Sequence, residues 1–405
     1  MSELLQKITE HYLSSFNYNG LPISLIKDYE IKEVQNLIEE GLIEALFKDI
    51  NPYIKRFNQT ASIEDQIRVL YDKYREVCLY PTPKALELVE KDETSPYTKL
   101  LQSGWGQYEI VYFEVEVLEQ FFNDPRYEII DYGYRGSVSY NSEVVDGDYI
   151  KNYGMAYPKG FKDGDSVDRA IAVFVHDLAN LSKKAQMKWK SREIDIQDGW
   201  SVSGGFVKNL IYGEWVDSIW VYSALLKEQE LINKMCDAVG INHIFLYTWD
   251  DNNYGSIPNG YRTILFPTRN NYYDFVNVLE KMTCENISIK ALTQPQKNSK
   301  AVVHEKNEGS IKVLEKWLKK NGRDPKTVDD YVISPLKRVR KIRQTPAHII
   351  VDDKYDKTVY SDQNELIKDV YLAVHSLRIM LGTHPLAKDI LVPDELNNLG
   401  KIVIY

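Results

Sequence analysis

The residues best suited to chemistry stand near the C-terminus, in Arg343-Gln-Thr-Pro-Ala-His348. A histidine moves a proton at neutral pH, and an arginine holds a phosphate through paired N–H donors. On RNA the 2′-OH is an internal nucleophile. A histidine that assists proton transfer and an arginine that stabilises charge on the phosphorus then cut the strand without a metal. Spacing alone discriminates poorly. Three Arg–His pairs of similar spacing occur, Arg169 with His176, Arg343 with His348 and Arg378 with His384. Only Arg343 is followed by a polar residue, Gln344; Ala170 and Ile379 follow the other two. Only Arg343 also follows a dense basic run, Lys337, Arg338, Arg340 and Lys341, which is expected to bind nucleic acid. From Lys297 to Arg343 fourteen Lys or Arg stand against six Asp or Glu, inside a chain of net charge -9, so this segment is expected to attract a polyanion.

On an uninterrupted helix, residues five apart point about 140° away from each other. Pro346 removes a backbone donor and disfavours helical geometry at Thr345. The helix is therefore expected to end or kink there, turning Arg343 and His348 toward one cleft. An Arg, a polar neighbour and a His in this order resembles the R-polar-x3-H signature of HEPN-type ribonucleases, over the C-terminal third at most. The resemblance implies a helical bundle, usually dimeric, that pairs two motifs across the dimer into one metal-independent ribonuclease site. It also implies a toxin or an effector of antiviral defence. Carried over residue by residue, it gives catalytic roles to Arg343 and His348, with Gln344 as the polar neighbour, and needs neither metal nor cofactor. The partners it implies are RNA and a second copy of the chain, in a dimer or higher homo-oligomer, with room for a regulatory partner protein. Two alternatives stay open. The bundle holds nucleic acid or a partner without cutting, with Arg343 capping a helix and His348 in a turn. Or the chain senses a small molecule through its aromatic-rich middle.

The elements that must position these residues follow from length and pattern. A chain of 405 residues exceeds one ordinary core, and 43% hydrophobic with 27% charged residues suits a globular protein. The expected fold is multi-domain α+β: a helical region over 1–104, a mixed α/β domain over 105–270 and a HEPN-like helical bundle over 271–405. The start MSELLQKITEHYL is not signal-like, no run approaches eighteen apolar residues, and the three cysteines are far apart, so a reducing cytoplasm and no membrane span are expected.

In the first region, Ile31 to Leu46 recurs at helical spacing, Ser62 with Asp65 reads as a capping box, and Pro81-Thr-Pro83 reads as a helix stop. In the second, Tyr108–Val117 alternates as a strand, and Tyr127–Tyr140 reads as two strands broken at Gly133 and Gly136. Val167–Trp189 reads as one long helix, another follows from about Trp215 to Val239, and His243–Tyr247 and Arg262–Phe266 read as buried strands. In the third, helices are expected from Tyr272, over 311–320 with a stop at Asn321-Gly322, over 327–345 and over 363–381.

Other chemistry is thinly advertised. Asp250, Asn252 and Gly255 match three positions of a calcium loop, but Tyr254 and Tyr261 stand where two oxygen ligands belong, so a polar turn is expected. No phosphate-cradling glycine loop is present. His176 reads as a satisfied core histidine. Glu114 and Glu116 read as solvated or lysine-paired.

Overall fold

The computed structural model describes residues 1–14, 20–47, 61–71, 76–89, 94–140, 149–159, 168–196, 199–250, 252–345 and 353–404. Helices and sheets are mixed in it. Contacts divide the chain into two units, each assembled from separate stretches. The first comprises 1–117, 137–156 and 169–213; the second comprises 118–136, 157–168 and 214–405. Three contiguous domains cut at 104 and 270 are not what the contacts outline.

The first unit corrects the expectation of a helical N-terminal region. Helices Glu3–Ser14, Ile31–Glu39 and Ile63–Leu70 pack on a three-stranded antiparallel sheet in which Val77–Pro81 lies between Leu21–Pro22 and Ile43–Phe47. The apolar spacing that runs helically to Leu46 therefore changes period: the helix ends at Glu39, and Ile43, Ala45 and Leu46 are buried as strand residues. Gln66 completes the joint, its Oε1 accepting from the Ala45 N–H at 2.9 Å. The Ser62 cap is present, with Oγ accepting from the Asp65 N–H. Pro81 ends a strand, and Thr82 and Pro83 start a short helix.

The second sheet of this unit is antiparallel around Ile110–Glu114, which pairs with Ala170–Phe174 on one side and Glu193–Ile194 on the other. Val167–Trp189 is thus not one helix. Its first part is a strand buried on both faces, followed by helices Val175–Ala179 and Lys183–Lys190. A run such as Ala-Ile-Ala-Val-Phe is apolar at every position, so periodicity alone does not separate a fully buried strand from a helix.

The second unit is dominated by helices, of which five matter below: α1 (Val221–Val239), α2 (Arg269–Met282), α3 (Ser310–Lys320), α4 (Ser334–Gln344) and α5 (Thr358–Gly382). α1 and α5 pack along each other at its centre, with Leu225, Ile232, Leu366, Val370 and Val374 buried between helices of one continuous core. α3 stops at Asn321-Gly322, where Gly322 takes φ +84°, a left-handed conformation that glycine adopts without penalty. Among the described residues, 311–381 contains no strand. His243–Tyr247 and Arg262–Phe266 are not strands either; Phe245 makes only an isolated bridge to Ile287. Amide side chains stand in for the absent partner strands. Asn233 of α1 accepts from the Phe245 N–H and donates to its carbonyl, and Gln363 of α5 accepts from the Ile264 N–H and donates to the Arg262 carbonyl. Both amides are buried, so the runs satisfy their backbones without a ladder. No helix among the described residues is long and apolar enough to cross a membrane.

Candidate functional site at the end of the basic helix

α4 is built by a short apolar stripe and a proline start. Pro335 stands just after the π turn Asp329–Ile333 and has no N–H to donate to that turn's carbonyls. Leu336, Val339 and Ile342 recur every third residue and face the core against α2 and α5. Lys337, Arg338, Arg340, Lys341 and Arg343 occupy the remaining positions, so the stripe that docks the helix also fans the cations toward three neighbouring helices. A single π turn, Asp329–Ile333, leads into the helix. The helix ends at Gln344, as Pro346 predicts. Thr345 nevertheless keeps helical dihedrals, φ -57° and ψ -52°, and donates its N–H to the Ile342 carbonyl at 3.1 Å. The expected turn away from helical geometry therefore does not occur at Thr345. His348 and Pro346 lie outside the described residues, and so does the distance between Arg343 and His348.

The basic residues are far less free than their sequence implies. Glu280 of α2, buried, accepts from Arg340 Nε at 3.0 Å, and Arg343 Nε lies 3.5 Å from its other oxygen. Arg340 Nη2 also reaches Ser310 Oγ at 3.4 Å. A Cβ at Gly309 would stand 2.7 Å from the Arg340 guanidinium, so the glycine makes the space the arginine fills. Arg338 donates to Glu365 at 2.8 Å and to Asp369 at 2.5 Å, both on α5. Lys337 donates to Glu315 of α3 at 3.2 Å. Burial acts to raise the Glu315 pKa, but hydrogen bonds from Lys319, Lys337 and Lys312 outweigh it and hold the group at about 2. Lys341 and Gln344 are exposed, and the Arg343 side chain is 41% exposed. Arg343 is the cation at this helix end that combines an open guanidinium with a contact beyond hydrogen-bonding range.

The other two Arg–His pairs are placed differently. His176 is buried, with Asn180 Nδ2 3.3 Å from its ring nitrogens, and serves the interior as expected. Arg378 is buried too, and its partner is not His384. Its Nε donates to Glu228, a fully buried residue of α1, and its Nη2 donates to the Leu396 carbonyl at 3.2 Å. His375 Nδ1 is 2.8 Å from the other Glu228 oxygen. This Glu228–His375–Arg378 cluster went unnoticed in the sequence. Its only trace is a His and an Arg three apart on a helix, with their carboxylate 147 residues upstream of the His.

The Asp250 loop closes on itself as an Asx turn. Asp250 Oδ1 accepts from the Asn252 N–H at 2.9 Å, and Asn253 Oδ1 accepts from the Asp250 N–H at 2.7 Å. Among the described residues no three His, Cys, Asp or Glu side chains converge as a metal site. Burial pushes the thiol of Cys78 up to about 11 and those of Cys236 and Cys284 up to about 12, so all three are unreactive at neutral pH. Comparisons of the chain with protein-family models, with curated proteins and with solved structures found no match.

Proposed function

We propose that the helical C-terminal part acts on RNA as a metal-independent endoribonuclease, in which Arg343 holds the scissile phosphate, His348 carries the proton and Gln344 flanks the arginine. The observation that carries this reading is the difference among the three Arg–His pairs. His176 and Arg378 are interior groups with committed partners, whereas Arg343 reaches solvent at a helix end, on a run of helices without a strand among the described residues. Its ion pair with Glu280 lacks a hydrogen bond, so a phosphate competes for the guanidinium without first breaking one.

Affinity for RNA is modest on this reading. Lys337, Arg338 and Arg340 each face a carboxylate, which leaves Lys341 and Arg343 as the main contributors to a phosphate field. A toxin or defence effector built this way relies on a second copy, or on partner-dependent assembly, to complete a site. The test is incubation of the purified chain with RNA in EDTA, wild type beside His348→Ala and Arg343→Ala. Wild type leaves 2′,3′-cyclic phosphate ends; each variant loses about 10²–10⁴-fold in rate while keeping its unfolding midpoint. Cleavage that survives His348→Ala, or that needs Mg²⁺, overturns the assignment. RNA binding without cleavage in wild type replaces it with the binding-protein alternative.

A further inference from the structure

Positive charge that the chain leaves unanswered stands at the far end of α3 from Arg340. There the segment 299–301 is stitched to the last turns of the helix. Trp317 Nε1 donates to Ser299 Oγ at 2.8 Å, and Asn321 Oδ1 accepts from the Lys300 N–H at 2.8 Å. Asn321 Nδ2 donates back to the Lys300 carbonyl at 3.1 Å, and Lys320 Nζ donates to the Ala301 carbonyl at 2.7 Å. Beyond Gly322 the Arg323 N–H closes the helix end on the Leu318 carbonyl at 3.1 Å. Asp324 then caps the short helix Pro325–Val328, which carries Lys326. Two separate segments thus bring Lys300, Lys320, Arg323 and Lys326 to one end of α3.

These four differ from the cations of α4 in having no acid to answer them. Among the described residues no carboxylate lies within 4.0 Å of any of the four. Lys300, Lys320 and Lys326 are exposed, and Arg323 is half-buried. Arg323 Nη1 donates to the uncharged Thr383 Oγ1 at 2.8 Å, and burial alone pushes the guanidinium pKa down, with no carboxylate to oppose it. The carboxylates of 320–330 are Asp324, Asp329 and Asp330. Asp329 answers Lys319, and Asp324 Oδ2 accepts from the Thr327 N–H at 2.8 Å and from its hydroxyl at 2.7 Å. The dipole of α3 favours a cation in its last turn, which accounts for Lys320. It does not account for Lys300, Arg323 and Lys326, which lie outside the helix.

We infer that this end of α3 is a docking surface for the RNA backbone, separate from the catalytic arginine. The inference rests on RNA as the substrate class proposed above, and not on Arg343 or His348. Phosphates that settle here meet cations in water and release counterions. On α4 they compete with Glu280, Glu315, Glu365 and Asp369 for the same groups. Arg323 is the centre of the surface, because Thr383 fixes one of its nitrogens and leaves the rest of the fork to a phosphate. A flexible strand with an anion at every step suits charges spread over two segments better than a single compact anion does.

The experiment is filter binding of a 2′-O-methyl oligouridylate to the full wild-type chain over a salt series. The methyl groups remove the internal nucleophile, so the strand stays whole whether or not the chain cuts RNA. Lys300→Gln, Lys320→Gln, Arg323→Gln and Lys326→Gln together are expected to lower the slope of log affinity against log salt by about 2–3, and affinity at low salt by at least about tenfold. Arg323→Gln alone lowers the slope by about 0.7. Lys316→Gln with Glu308→Gln removes an answered cation of α3 with its carboxylate and leaves the slope unchanged. Equal urea midpoints show that the variants fold. A fourfold variant that keeps the wild-type slope overturns the inference, as does a wild type that binds no RNA. Polyglutamate of equal charge that binds as tightly as the oligouridylate also overturns it, and assigns the surface to an acidic protein. A chain that cuts RNA but is indifferent to the four substitutions refutes this surface alone; one that binds through them and cuts nothing refutes the ribonuclease reading alone.

Discussion

Two glutamates in the C-terminal unit hold arginines from another helix, and the two arrangements differ in one respect. Glu228 of α1 is closed in: Arg378 is 4% exposed, His375 fills the other oxygen, and the Leu396 carbonyl takes a further guanidinium N–H. Glu280 of α2 is equally buried, but its arginines, Arg340 and Arg343, are 27% and 41% exposed. A closed pair has no route to a new partner and serves to join α1, α5 and the C-terminal segment. An open pair exchanges its carboxylate for another anion. The same residue types at similar distances therefore give a lock in one place and an available cation in the other, and solvent access to the arginine is what separates them.

The contrast is sharpest in Glu228→Ala, which strands Arg378 in the interior. It is expected to cost about 3–5 kcal/mol, read as a fall in the urea midpoint, whereas Glu228→Met with Arg378→Met together recovers most of that loss. A single variant that costs under about 1 kcal/mol would abolish the distinction. Glu280→Ala releases two arginines that can turn to water, so the expected cost is smaller, about 1–2 kcal/mol. On the ribonuclease reading it also tightens RNA binding in a filter assay, because a competing carboxylate is gone; weaker binding would count against an exchangeable Arg343.

Acid titration probes the open region separately. The Glu315 pKa lies at about 2 against an ordinary 4.5, so its contribution to stability is complete above pH 4.5 and is lost as pH falls toward 2. Its lysine partners are largely in water, which limits the effect to about 1–2 kcal/mol. Glu315→Gln should flatten the stability profile over that window; an unchanged profile would show that the lysines do not set it. Lys337→Ala, at one exposed end of this network, should change stability by less than about 0.5 kcal/mol.

How much of this was legible in the sequence depended on where the partners lie. Local signals were readable: the Ser62 cap, the Gly322 stop after α3, the break at Gly133 between two strands, and the helices of the C-terminal third. Short apolar windows were ambiguous: Ala170–Phe174, buried on both faces, read as helix, and 243–247 and 262–266, in which Leu246, Tyr247 and Phe266 are exposed, read as strands. The amides that satisfy the last two runs, Asn233 and Gln363, lie 12 and 99 residues from the N–H groups they accept. The basic run was the costliest misjudgement of field. Fourteen cations over six anions is a correct count, but three of the carboxylates that answer them sit outside that window: Glu280 precedes it, and Glu365 and Asp369 follow it. Charge counted along a chain does not see charge that arrives from another helix.

The division into two interleaved units has a consequence for synthesis. The chain passes from one unit to the other at residues 117, 136, 156, 168 and 213, so no single truncation yields either unit whole. Strand Ile110–Glu114 meets its partner only when residues 170–174 have been made, and the first unit is complete only at 213. At about 5–20 residues per second, the ribosome takes on the order of 3–11 s to go from residue 117 to 174. Through that interval the nascent chain carries an unpaired strand of Ile-Val-Tyr-Phe-Glu, a template for association with other chains. Slower translation over this stretch lengthens the exposure, and fragments ending between 117 and 170 are the ones expected to aggregate.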